Sequence, residues 1–229
     1  EYYHSEIREQ IVSKIEKHIY TCGTSKMLGD LKLIDFQCRP KKSRESATIK
    51  LLHKPENVAA DIFDWIGVRF ITKYRLDAIK VLSYLRKHNV IMFANVKPSR
   101  SRNTLIDLEW LNDNWDKSDF ETLKLQLELI DPPQEQGKPL VNFHTMSEYH
   151  AVQFTCRQRI KIVTSIGEKV SFFFPFEVQI LDQKSYKQNR IGDASHELYK
   201  KRQLTAVRIR VLGALYQKFE KANATCEVK

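Results

Sequence analysis

VSFFFPFEVQIL, residues 170–181, is dense in Phe, Val and Ile and reads as a strand. Alternation puts Glu177 and Gln179 on one face, with Phe174, Phe176, Val178 and Ile180 on the other. A carboxylate on an otherwise apolar core strand is costly unless a cation meets it. A second acid, Asp64, sits beside a short apolar run in DIFDWIGVRFIT, residues 61–72. Two acids from separate strands, in a chain of net charge +10, suggest a divalent-metal site that faces phosphates. The alternative is that Glu177 pairs with a buried Arg or Lys.

Outward from this strand the pattern is β–α–β. Residues 5–20 carry Ile7, Ile11, Ile15 and Ile19 at helical spacing, with Ser5 as the candidate N-cap. A strand is expected over 31–38, a short helix over 57–65 and a strand over 67–73. A helix over 76–88 and a strand over 90–96 follow. Residues 97–140, from KPSRSRN to DPPQEQGKP, break the rhythm and are expected to be an exposed insertion. Strands are expected again at 149–158, 160–165 and 170–181, then helices at 183–188 and 194–221. The expected architecture is α/β (α+β): a mixed β-sheet flanked by helices, in one domain over 1–229.

The 229 residues suffice for a packed core, and 42% hydrophobic with 29% charged residues is ordinary for a globular chain. The excess of 38 Lys and Arg over 28 Asp and Glu, with a pI near 9.4, favours an anionic partner: nucleotide, RNA or acidic lipid. No apolar run has the length of a membrane span, and no signal-peptide pattern opens the chain. Cys22, Cys38, Cys156 and Cys226 are widely spaced and read as reduced thiols, which points to a cytoplasmic protein. HExxH, Walker and GxGxxG patterns are absent.

CRPKKSRESATIKLLHK places Arg39, Lys41, Lys42, Arg44, Lys50 and Lys54 within one stretch after a strand. Such density can surround a triphosphate, or can be a solvated basic helix start. Asp64 and Arg69 suit metal and phosphate, or a local ion pair. Tyr149 can stack on a base or be an edge tyrosine. His196 and Lys200 sit a turn apart at a helix start.

The order of these blocks (RPK…S…K, D-x-x-G-x-R, Y-x-x-V, EVQI and ASHELYK) resembles the synthetase domain of the RelA/SpoT family, the alarmone pyrophosphokinases. The resemblance spans about residues 31–202, without 97–140. It implies a nucleotidyltransferase-like fold, Mg²⁺ as cofactor, and ATP with a nucleotide acceptor as partners. It further implies that Arg39, Lys41, Lys42, Ser46, Lys50 and Arg69 hold ATP, and that Asp64 and Glu177 bind the metal and serve catalysis. Tyr149 would stack on the acceptor guanine, with Gln153, Gln179, His196 and Lys200 on the acceptor side.

The chain departs from that pattern at Gln153, where the family carries His, and at Leu181-Asp182, where it carries Arg-Thr. Cys38 replaces a Gly, and HTMSE stands where a Lys- and Gly-bearing loop is usual. These changes gather on the acceptor side. The expected reaction is transfer of the β,γ-pyrophosphate of ATP to the 3′-hydroxyl of a guanosine nucleotide. An adenosine nucleotide or the 3′ end of a tRNA is the alternative acceptor, and a catalytically degenerate nucleotide- or RNA-binding domain is the alternative class.

Overall fold

The computed structural model describes residues 3–39, 42–52, 62–133, 149–191 and 196–216, with backbone alone for 191 and 196–199. Its centre is a five-stranded mixed sheet in the order β4-β5-β8-β7-β6. These strands are β4 (Asp35–Cys38), β5 (Gly67–Thr72), β6 (Val96–Asn103), β7 (Val152–Val163) and β8 (Lys169–Asp182). Three short strands, β1 (Ile19–Cys22), β2 (Ser25–Leu28) and β3 (Leu31–Leu33), form a separate antiparallel sheet. Seven helices surround them among the described residues: α1 (His4–Glu16), α2 (Arg44–Leu52), α3 (Asp77–Lys87), α4 (Leu108–Asn114), α5 (Phe120–Leu129), α6 (Gln183–Ile191) and α7 (His196–Leu212).

β5 and β8 pair in parallel, and every other pairing in the large sheet is antiparallel. The chain between β5 and β8 therefore holds a crossover through α3 and the β6–β7 strands. The even-numbered residues of β8 behave as the alternation requires: Phe176, Val178 and Ile180 are buried with Val68, Phe70, Val152 and Phe154 of its neighbours. Helix α1 covers this face through Ile7, Ile11 and Ile15, and α3 through Ala78, Val81 and Leu85. Glu177 and Gln179 share the opposite face and are buried as well.

Several boundaries differ from the sequence expectation. The cap of α1 is Tyr3, and Ser5 lies inside the helix. The strand expected over 31–38 is two strands, because the chain passes from one sheet to the other at Ile34, whose N–H donates to Ile71 O at 2.8 Å. The helix expected over 57–65 falls largely outside the described residues, and residues 63–66 are turn and bend. Val90 and Ile91 belong to no strand. Asn89, at φ 51°, ends α3 in the left-handed region, and the next two residues are buried against the helix they leave. The strand comes later, as β6, whose polar KPSRSRN sequence is tolerated because it forms an edge with Pro98 off the ladder centre. The two strands expected over 149–165 are one continuous strand, β7, in a hairpin with β8.

Residues 97–133 are not an exposed excursion. They supply β6, α4 and α5, and they bury Leu105, Ile106, Leu111, Leu123 and Leu127 in the main core. Asp107 and Asp119 cap the two helices, accepting from Trp110 N–H and from Glu121 and Thr122 N–H. Leu127→Ala should therefore cost about 2–5 kcal/mol in urea unfolding, whereas Leu125→Ala, at 57% exposed on the same helix, should stay within about 0.5 kcal/mol.

Candidate functional site

The odd-numbered face of β8 carries the site. Sheet register lines up a polar row across all five strands: Gln37 opposite Arg69, Arg69 opposite Gln179, Gln179 opposite Gln153, and Gln153 opposite Arg102. Two residues along β8, Glu177 lies opposite Gly67 on one side and Thr155 on the other, with Lys97 beyond Thr155. Arg39 follows β4 and bonds Gly67 O through its own N–H at 2.8 Å.

Gly67 has no side chain in the way of Arg39. A Cβ there would lie 2.8 Å from Arg39 Cδ, inside any real contact distance. Across this gap Arg39 Nη1 donates to Glu177 Oε2 in a charged hydrogen bond. Burial alone would lower the Arg39 pKa, but Glu177 first, then Asp64 and Tyr149, more than compensate and leave it raised. The guanidinium thus answers both acids electrostatically.

Asp64, in the turn before β5, accepts from Lys42 Nζ through Oδ2 and from Lys50 Nζ through Oδ1, each at 2.6 Å. Burial pushes the Asp64 carboxyl upward, and the two lysines overcome this to hold it well below the usual carboxylate range. Lys42 is lowered, by burial first and then by Lys50 and Arg39, against the pull of Asp64. Lys50 comes from α2, which Ser43 starts by accepting from Ser46 N–H.

The structure shows the alternative reading of Glu177, a pairing with an arginine. That arginine is half-buried, and Glu177 shares its field with the second acid. Arg39, Lys42, Lys50 and Arg69 face two carboxylates, an excess of two positive charges that favours a polyanion. Gln153 and Gln179 donate to Glu177 at 2.6 and 3.0 Å. Arg69 directs Nε and Nη2 to Gln179 Oε1 at 3.1 and 2.9 Å. Tyr149 stands just before β7, its hydroxyl pushed up to about 12 by burial and then by Glu177, with Arg69, Arg39 and Arg102 opposing.

Four expected residues take no part in these pairings as described. Ser46 bonds Ser43 at the start of α2, and Lys200 is exposed on α7 and makes none of the site's ion pairs. Lys41 lies outside the described residues, and His196 is placed by its backbone as the first residue of α7. The sequence reading gave no role to Gly67, although it stood in the quoted D-x-x-G-x-R block. It also overlooked Phe63, on whose ring Lys97 and Arg100 sit at 4.3 and 5.0 Å from the centroid.

Among the described residues no cluster of three or more His, Cys, Asp or Glu side chains forms a metal cage. The available hard donors are the carboxylates of Asp64 and Glu177. That set suits Mg²⁺, which commonly takes one or two carboxylates and fills its shell with water and substrate phosphates. No helix among the described residues is long and apolar enough to cross a membrane.

The fold and site define an α+β domain in which a carboxylate on the mixed sheet and another in the turn before β5 lie inside a basic wall. No family model matches the chain, and no curated protein matches it significantly. Among solved structures it is similar to the small alarmone synthetase 1 from Bacillus subtilis, at 12% identity and TM-score 0.44, over 99% of this chain and 95% of that one. It is similar to the small alarmone synthetase 2 from Bacillus subtilis at 14% identity and TM-score 0.39, over 98% and 94%. A GTP pyrophosphokinase family protein from Streptococcus pneumoniae matches at 13% identity and TM-score 0.37, over 98% and 89%. All three TM-scores lie below 0.5.

Two outcomes check this geometry. Gly67→Ala should cost about 1–3 kcal/mol in urea unfolding, through overpacking, and distinctly less in an Arg39→Ala background that removes the clash. Asp64 is depressed in the fold, so its contribution is full above the unfolded carboxylate value and lost as pH falls below it. The stability gap between the native chain and Asp64→Asn should be largest near neutrality and shrink below about pH 4.

Proposed function

We propose that this chain is an ATP-dependent pyrophosphokinase that transfers the β,γ-pyrophosphate of ATP to the 3′-hydroxyl of a guanosine nucleotide. The observation that carries the reading is the pairing of Arg39 with Glu177 beside the pairing of Lys42 and Lys50 with Asp64, whose charge Arg39 also feels. The order of the sequence blocks adds to it.

The reaction is an in-line displacement. The acceptor 3′-oxygen bonds to the β-phosphorus, the bond from that phosphorus to the α,β-bridging oxygen breaks, and AMP leaves with that oxygen. Such chemistry asks the protein for positioning and charge neutralisation. Arg39, Lys42 and Lys50 would turn from the carboxylates to the phosphates, exchanging one anionic partner for another. Asp64 and Glu177 would hold Mg²⁺, which when bound neutralises charge on the phosphate oxygens. Asp64 or a bound water would take the proton of the 3′-hydroxyl. Tyr149 would lie against the acceptor base.

A second acceptor has its own support. Edge strand β6 brings Lys97, Arg100 and Arg102 alongside the site, a basic margin suited to the 3′ end of an RNA. That acceptor would show affinity falling steeply with salt.

The test is incubation with Mg²⁺ and γ-³²P-labelled ATP, offering GDP, GTP, ADP, ATP and bulk tRNA separately. Label on one acceptor with AMP released in step is the expected result. Asp64→Ala and Glu177→Gln should each reduce kcat by about 10²-fold or more. Full turnover in either variant, or ATP binding with no transfer to any acceptor, overturns the reading.

A further inference from the structure

Gln179 reveals how Glu177 is held. Its side-chain oxygen accepts from Arg69 Nε and Nη2, and a guanidinium only donates, so the amide orientation is decided by chemistry. The Gln179 NH₂ group must then point the other way, and it does, to Glu177 Oε2 at 3.0 Å and toward Gln153 Oε1 at 3.4 Å. That contact in turn orients Gln153, whose Nε2 donates to Glu177 Oε1 at 2.6 Å. Each carboxylate oxygen thus receives one neutral amide, and Oε2 receives Arg39 as well.

The register makes this possible. Arg69, Gln179 and Gln153 are direct cross-strand neighbours on β5, β8 and β7, and Glu177 is the next residue along the same face of β8. Gln179 is buried with Glu177, so an amide turned the wrong way would set its oxygen against a carboxylate in a poorly solvated place. The fork of Arg69 prevents that turn.

We infer that Arg69, Gln179 and Gln153 are positioning residues that fix the carboxylate of Glu177, and that Arg69 acts through Gln179 rather than on substrate phosphate. The catalytic value of this relay rests on the pyrophosphokinase reading, whereas the relay itself does not. Among the cations of the site, Arg69 is then the one that stays in place when a triphosphate arrives. Arg39, Lys42 and Lys50, each lying directly on a carboxylate, are the ones that exchange partners.

The experiment is a double-mutant cycle on the full chain, with Arg69→Met, Gln179→Leu and the double variant. In urea unfolding the two costs should be non-additive, with a coupling of at least about threefold in the unfolding constant. Strictly additive costs overturn the relay. In turnover each single variant, and Gln153→Met, should lower kcat about tenfold or more while KM for ATP stays within about twofold. The double variant should be no slower than the worse single. Arg69→Lys keeps the charge but loses the fork, so it should be as slow as Arg69→Met. Full kcat in Arg69→Lys, or KM for ATP rising tenfold in Arg69→Met while Gln179→Leu is unchanged, makes Arg69 a phosphate contact and overturns the inference. If the native chain transfers no pyrophosphate to any acceptor, the functional reading falls, and the unfolding cycle decides the relay alone.

Discussion

The parallel ladder between β5 and β8 is the pairing on which the rest depends. Its register sets Gly67 opposite Glu177 and Arg69 opposite Gln179. Side chains alternate with period two, so a slip of one residue would turn Glu177 into the apolar layer of Phe176 and Val178 and expose those residues on the polar face. The apolar face pins the register, and the register assembles the site. β4 pairs antiparallel on the other side of β5, which delivers Arg39 to the gap left by Gly67. Stability and site geometry are in this way two consequences of one alignment.

Electrostatics explains why the site is so densely charged. A buried ion carries a desolvation penalty of several kcal/mol that only close, well-oriented partners offset. Asp64 meets this with two ammonium groups, and Glu177 meets it with one guanidinium and two amides. The two acids are thus held differently. The lysines on Asp64 are mobile point charges that a triphosphate can attract away. The amides on Glu177 are neutral, and Gln179 is held in place through its oxygen by Arg69. Such a division suits a site where one carboxylate must be released by the substrate while the other is already oriented.

Much of the fold was legible. The apolar stripe of α1, the Gly67–Thr72 strand, α3 and the two faces of β8 follow from periodicity, because each buries one side against the core. Residues 97–133 were not, for two reasons. β6 is an edge strand, and an edge needs no apolar alternation, so its Lys, Arg, Ser and Pro look like loop. The helices after it are short, yet Asp107 and Asp119 stood at their starts as readable caps. The single strand β7 reads in sequence as two, 149–158 and 160–165, with the break at Arg159. In the fold Gln158 and the backbone of Lys161 are tied to Gln10 of α1, which supports the strand where β6 no longer pairs with it.

By itself the sequence determined that Glu177 would share a face with Gln179 and would need a cation, since alternation and the cost of a buried charge are local properties. It determined that Asp64 precedes a strand and that basic residues crowd after Cys38. Which cation meets which acid was decided only by tertiary structure. Arg39 and Glu177 are 138 residues apart, and Arg69 and Gln179 are 110 apart. A partner at such separation is chosen by strand order and register, and those are settled by how the whole apolar face packs.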